Sequence, residues 1–356
     1  MTQLDLEGTR TLLIQALNMA LDIGNETTYS NSFDVTVAEG GFQFIPRVPA
    51  GYVLNGTLYQ RIFEIANGSL YPYYTLLKQN GTYFVPLSGN SIHNARALFF
   101  PWLKGIPTRI EISDFEKFKA NLEPGDIPFM QNLTINITDV THLVIAGNSG
   151  SGKSYALTYL LEVLKKQAAL HIVDPKMDAP TRWGNKNGVS VLTPDGDRSQ
   201  NDFVNSVCDL LSSALHVVQA RQAELKGDAS LQFKSYVIVI DELLALTSSV
   251  SKSLKDTFFS LLSQVALLGR STQVKLILLS QRFDANALPV VVREQANVMI
   301  QLGNVNRKTT QFLLPDLDNL DGIVIPSGKG TGLIQIIDGN HPANVMPLLM
   351  PTYREA

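Results

Sequence analysis

GNSGSGKS, from Gly147 to Ser154, meets the phosphate-loop pattern G-x-x-x-x-G-K-[ST] at every specified position. THLVIA (Thr141 to Ala146) precedes it, apolar and β-branched enough for a buried strand, and YALTYLLEVLKKQ follows with Leu and Tyr at helical spacing. Strand, glycine loop and helix make up the context the motif needs. Gly147, Gly150 and Gly152 let the backbone turn tightly, so that the N–H groups around Asn148, Ser149 and Ser151 converge on a polyphosphate, and the positive end of the new helix adds to them. Lys153 is expected to reach the β and γ phosphates and the Ser154 hydroxyl to ligate Mg²⁺. With Tyr155, these residues form the expected ATP-binding stretch. The bland alternative, a Gly/Ser turn before an ordinary helix, does not account for the flanks.

Downstream, SYVIVIDELLAL sets Asp241 and Glu242 at the carboxyl end of a continuous apolar run. That is where a Walker B pair belongs: Asp241 to hold Mg²⁺, Glu242 to polarise the water that attacks the γ phosphate. A capping pair at a strand-to-helix turn is the competing reading. VKLILLSQRF (Val274 to Phe283) ends a second apolar run in Gln281 and Arg282, and a glutamine there can sense a γ phosphate or simply serve as a satisfied loop amide. HIVDPKMDAP places Asp174 and Lys176 on the same sheet edge, as a common turn, as support for the site or as an inter-subunit contact. Arg270, in ALLGRSTQ, and Arg307, in GNVNRKTTQ, are either surface arginines or an arginine finger that crosses a subunit boundary.

Expected strands at 143–146, 170–173, 237–240, 276–279, 298–302 and 333–337 alternate with helices at about 153–167, 201–225, 252–269, 287–295 and 306–314. This alternation predicts an α/β fold with a mostly parallel sheet, whose ligands sit beyond the carboxyl ends of the strands. Upstream the pattern changes. A helix over LEGTRTLLIQALNMALDIG, ended by Gly24, and a polar NETTYSNS stretch lead to the short β-like runs FDVTV, GFQFI, YVLNGTLY and GTYFVPL. The reading is a small α+β domain over residues 1–120, a linker over 121–135 and the nucleotide-binding domain over 136–356. Tyr71, Tyr73 and Tyr74 suit a core or interface cluster better than base stacking.

At 356 residues, 45% hydrophobic and 17% charged, the chain has the composition of a folded protein of two domains or one large one. A net charge of −3 gives no global field for nucleic acid, so a polyanion would need local basic loops. The single Cys208 excludes an internal disulfide and a Cys-based zinc site, and its helical setting reads as apolar packing. No signal peptide and no run of membrane-spanning length appears, so the expected location is cytoplasmic. The N-x-[ST] triplets at Asn25, Asn55, Asn67, Asn80, Asn132 and Asn136 then read as polar turns.

Four separated motifs agree with one family. THLVIAGNSGSGKS, IVDPK, VIVIDELLAL and GRSTQVKLILLSQRF, in that order and at compatible spacing, resemble the FtsK/SpoIIIE-type DNA translocase motor, a RecA-like P-loop branch related to HerA. The resemblance covers about Ile127 to Ile337. It implies a hexameric ring that encloses duplex DNA and moves it by ATP hydrolysis, with Lys153, Ser154, Asp241, Glu242 and Gln281 in the roles above. It matches Arg270 and Arg307 to two family arginines, either of which would serve the adjacent subunit, and Arg221, in QARQAELKG, loosely to a family helix. The membrane-spanning and winged-helix regions of the family have no counterpart in this sequence, and LPDLDNLDGIVIPSGKGTG replaces its glycine-rich segment. The expectation is therefore a plasmid, phage or conjugative-element motor, partnered by a relaxase, replication initiator or secretion or packaging component. Lys252, Lys255 and Lys329 are the DNA-contact candidates, with plain solvation as the alternative. The rival functional reading is a regulatory or assembly NTPase that acts on protein partners through residues 33–118; a nucleotide-binding structural protein is a weaker third.

Overall fold

Apolar runs without polar alternation belong in sheets covered on both faces, because every second side chain would otherwise face water. In the computed structural model of the protein LVIAG, SYVIVI, VKLILLS and VMIQL obey this rule, and nearly every residue in them is buried. The structure describes residues 5–21, 32–48, 53–79, 81, 84–88, 91–194, 196–197, 199–284, 287–315, 317, 320–325, 327–338 and 344–353. Gly24, the NETTYSNS stretch up to its last residue (Asn25 to Asn31) and Asn80 lie outside them. Two units divide the chain: Met1–Pro107 with Leu317–Val324 and Ala343–Met346, and Thr108–Asp316 with Ile325–Pro342 and Pro347–Ala356.

The second unit carries the strands β1 (Leu143–Gly147), β2 (Ala168–Val173), β3 (Val191–Leu192), β4 (Ser235–Ile240), β5 (Val274–Ser280), β6 (Val298–Leu302) and β7 (Thr331–Ile336). Their order across the sheet is β3, β2, β4, β5, β1, β6, β7. The first six are parallel and β7 is antiparallel to β6. Beyond β1 its helices are α1 (Lys153–Leu164), α2 (Ala179–Asn187), α3 (Gln200–Gly227), α4 (Leu243–Thr247), α5 (Lys252–Leu268), α6 (Val290–Gln295) and α7 (Arg307–Thr310). This is the expected α/β fold with a mostly parallel sheet. The carboxyl ends of β1, β4 and β5 lie on one edge, so the residues that follow each of them face common solvent there.

Local chemistry explains most of the boundaries. Ser199 and Asp202 form a reciprocal capping box at the start of α3, which buries Phe203, Val207, Leu211, Ala214 and Val218 along one stripe. Cys208 sits within that stripe, and burial pushes its thiol up to about 11, as an inert packing residue requires. Two helices are shorter than their pattern suggested. Pro289 caps α6 and sets its start at Val290, and α7 spans only Arg307–Thr310 behind its Asn306 cap. Within the stretch read as a linker, Asp126–Met130 pairs antiparallel with Leu133–Asn136.

The first unit is α+β, as expected. Its helix Leu6–Ala20 buries Leu13 and Leu17, and Phe33–Ala38, Gly41–Pro46 and Arg96–Lys104 form an antiparallel sheet. YVLNGTLY reads as a β-like run in the sequence, but in the structure its last four residues open the helix Gly56–Leu70. The Asn55 side chain accepts the Leu58 N–H, and Leu58, Ile62, Phe63, Ala66 and Leu70 are buried at helical spacing that extends past the window read as β. Tyr74 stacks on Trp102 at 4.3 Å in the core, whereas Tyr71 is exposed. Three of the N-x-[ST] asparagines have local structural work: Asn55 as a cap, Asn67 as donor to the Gly322 carbonyl, and Asn136 as donor to the Pro124 carbonyl and acceptor from Thr138.

Candidate nucleotide site

The phosphate loop leaves β1 and enters α1 through two residues of left-handed backbone, Gly150 (φ 79°) and Gly152 (φ 101°). Only glycine adopts these readily. Gly152 is also closely approached: a Cβ there would stand 2.8 Å from the Gly330 nitrogen. The loop closes on itself, with Ser151 N–H donating to the Asn148 carbonyl at 3.2 Å. Lys153 Nζ reaches across it to the carbonyls of Gly147 and Asn148. Burial pulls the Lys153 ammonium below its ordinary value, with Lys176 adding to the shift and Glu242 and Asp241 opposing it. Helix α1 is fixed to the sheet by buried Ala156, Leu157, Leu160, Leu161 and Leu164, so its amino end is a rigid, positively polarised rim.

Asp241 and Glu242 follow β4 directly and are both buried. Burial first, and then the Asp174 carboxylate, push the Asp241 carboxyl up to about 6. Glu242 adopts a left-handed backbone (φ 54°), unusual for a residue with a Cβ, and two contacts hold its carboxylate there. Its Oε2 meets Lys176 Nζ at 2.7 Å and its Oε1 accepts the Gln281 N–H at 3.3 Å. Lys176 is presented by a braced turn: fully buried Asp174 accepts the N–H groups of Lys176, Asp178 and Thr181 and the Thr181 hydroxyl. The D-P-K stretch is thus both a turn and the support for the buried glutamate. Its link to Glu242 spans strand ends that only the sheet order makes neighbours.

Lys153, Ser154, Lys176, Asp241, Glu242 and Gln281 border one cavity of about 550 Å³, with Asn148, Gly150 and Tyr155. Gly147 and Ser151 lie behind its lining and shape the loop. A Cβ on Gly147 would meet Ser151 Oγ at 2.6 Å, and the Ser151 carbonyl accepts the Gly330 N–H at 2.9 Å. The Tyr155 phenol is engaged with the Tyr353 backbone and its ring stacks on that of Tyr353 at 4.1 Å, so it ties α1 to the Thr352–Tyr353 strand.

The arginines and lysines scatter. Arg270 follows α5 on the opposite edge of the sheet, before β5 begins, and borders a separate hollow with Asp139, Glu294 and Asn297. Arg307 is exposed and opens α7 on the phosphate-loop edge, four residues beyond Gly303. Arg221 donates to the Thr272 carbonyl at 2.7 Å and lies over the Phe233 ring, a packing role. Lys252 and Lys255 stand on the first turn of α5, the latter 5.3 Å from the centre of the Phe259 ring. Lys329 borders the nucleotide cavity itself, beside Arg109, which no motif in the sequence marks. Among the described residues no cluster of three or more His, Cys, Asp or Glu could hold a metal, and no helix is long and apolar enough to cross a membrane.

The fold and site define a RecA-like P-loop ATPase domain. Comparison with known proteins agrees: a family described as "AAA domain" matches residues 137–288. "DNA translocase FtsK" of Lactococcus lactis subsp. cremoris is 24% identical over 233 residues, which are 60% of this chain and 30% of that protein. "Ftsk domain-containing protein YdcQ" of Bacillus subtilis is 27% identical over 205 residues, 55% of this chain and 40% of that protein. The chain thus spans less than half the length of either relative. Among solved structures, the pCW3 conjugation coupling protein TcpA, a monomer form with ATPγS, shares the fold over 96% of this chain and 94% of its own, with a TM-score of 0.52 and 17% identity. Within the P-loop class the domain is similar to FtsK-type proteins.

Proposed function

We propose that the protein hydrolyses ATP and uses the energy to move DNA, in the transfer, replication or packaging of a mobile element. The observation that carries this reading is the cavity in which Lys153, Ser154, Asp241, Glu242 and Gln281 converge from three neighbouring strand ends. The relatives named for DNA translocation or for the FtsK domain supply the DNA. Ser154 and Asp241 offer the hard oxygen donors that Mg²⁺ takes, and a divalent cation would offset the burial and the Asp174 charge that raise the Asp241 carboxyl. When bound, Mg²⁺ neutralises charge on the phosphates. Lys153 binds the β and γ phosphates, Glu242 orients and deprotonates the attacking water once its Lys176 contact loosens, and Gln281, joined to Glu242 through its N–H, senses the γ phosphate.

A ring of copies, hexameric in our reading, would add an arginine in trans. Arg307 lies on the edge that holds the nucleotide, whereas Arg270, on the far edge, can serve only another copy's site. Lys252 and Lys255 are the proposed DNA contacts, and the working compartment is the cytoplasm. The test is ATPase activity with and without duplex DNA, alongside Glu242→Gln. Stimulation of wild type by DNA, with slow turnover and retained ATP in the variant, is the expected result. Indifference to DNA together with stimulation by a protein partner would sink translocation in favour of a regulatory NTPase.

A further inference from the structure

The cavity has two ends. At one stand Lys176, Asp241, Glu242 and Gln281, the group that acts on a γ phosphate. At the other lie Tyr155, Thr352, Arg109 and the Lys329–Gly330 turn. A polyphosphate lying along the loop with its γ group at the acids directs its α phosphate and nucleoside toward this second end. The turn there is joined to the phosphate loop itself. Gly330 N–H donates to the Ser151 carbonyl at 2.9 Å, and a Cβ on Gly152 would stand only 2.8 Å from the Gly330 nitrogen. Gly328 (φ 122°) and Gly330 (φ 70°) supply the left-handed backbone that brings the turn in.

Arg109 is fixed to the same turn. Its Nη2 donates to the Lys329 carbonyl at 3.1 Å, and its Nη1 lies beside Gly330, 3.5 Å from where a Cβ on that residue would stand. One donor is thereby used, and the remainder of a five-donor planar fork stays at the cavity wall, in a form suited to two oxygens of one phosphate. Burial lowers the affinity of this guanidinium for its proton, while Tyr155 and Glu111 oppose that shift. Partial desolvation of this kind strengthens its pull on an anion.

We propose that Arg109 and Lys329 bind the nucleoside-proximal phosphate of the nucleotide in cis, so that Lys329 belongs to the ATP site and not to a DNA loop. The proposal rests on the nucleotide-binding part of the function above and not on DNA movement. Because the α phosphate is common to ADP and ATP, the pair should contribute equally to both. A γ-phosphate sensor would favour ATP alone.

Dissociation constants of the 356-residue chain for ADP and for a non-hydrolysable ATP analogue decide the matter, measured on wild type, R109A, R109K and K329A, with K153A as the control for loss of phosphate binding. R109A and K329A should each weaken both nucleotides by about tenfold, close to 1.4 kcal/mol, and R109K should recover part of that. Thermal melts identify misfolding: if R109A melts early, R109K and K329A carry the test, since the Lys329 side chain does not hold the turn. Equal affinities in wild type, R109K and K329A overturn the proposal, as does loss confined to the triphosphate. A wild type that binds neither nucleotide overturns the ATPase reading along with it. A wild type that binds both but ignores DNA overturns translocation and leaves this assignment standing.

Discussion

Asp241, in the proposed catalytic site, works against stability. Its carboxyl is raised from 3.8 to about 6 by burial and by Asp174, so the folded protein holds that proton more tightly than the unfolded chain does. Stability conferred by the protonated form is present below pH 4 and is lost as pH rises through the interval up to 6. Above it the native state carries the full penalty, about 3 kcal/mol at most. Asp241→Asn should therefore raise the denaturation free energy of nucleotide-free protein at pH 7.5, with the gain shrinking toward zero near pH 4. Chemical unfolding at both pH values measures it, and a pH-independent gain would assign the effect to packing. The same residue was plain in the sequence from its place after an apolar strand. Its neighbour Glu242 was equally plain, but the Lys176 contact at 2.7 Å was not, since 66 residues separate the two.

At the scale of elements, the phosphate loop and the Gly328–Gly330 turn form one interlocked unit. Gly152 has φ 101° and stands where a methyl group would collide with the Gly330 backbone. Gly152→Ala should cost roughly 1–3 kcal/mol in strain and push the turn outward, carrying Arg109 and Lys329 with it. A fall in melting temperature accompanied by weaker binding of both ADP and ATP is expected; loss of stability with unaltered binding would show that the turn has no part in the site. Elements with a dense local pattern, such as α1 and the parallel strands other than the two-residue β3, were legible in sequence to within a few residues. Gly56–Leu70 was not, because its first residues carry β-like composition and its helical period emerges only over the following two turns.

At the scale of the whole molecule, the chain does not separate at a single cut. The first unit recruits Leu317–Val324 and Ala343–Met346 from far along the sequence. Within it Asn67 donates to the Gly322 carbonyl, Lys78 and Gln79 pair with Val345 and Asn344, and Leu317, Val345 and Met346 are buried. Deleting residues 1–107 strips those segments of their partners and exposes apolar surface. The shortened protein should be less soluble and melt lower than the intact chain, as fractionation and thermal scans would show; an unchanged melt would mean that the segments hold their places without the rest of the unit.

The sequence by itself determined the phosphate loop, the acid pair, the glutamine at the end of β5 and the parallel α/β core. Each of these is written in runs of a dozen residues or fewer, where glycine freedom, apolar periodicity and strand-end position act locally. Tertiary structure alone decided that Arg109 meets the turn at Lys329, 220 residues away, and that Arg270 faces the edge opposite the nucleotide. Such pairings follow from strand order and direction, set by burial of the sheet as a whole, and no local stretch carries a record of which distant backbone its side chain will touch.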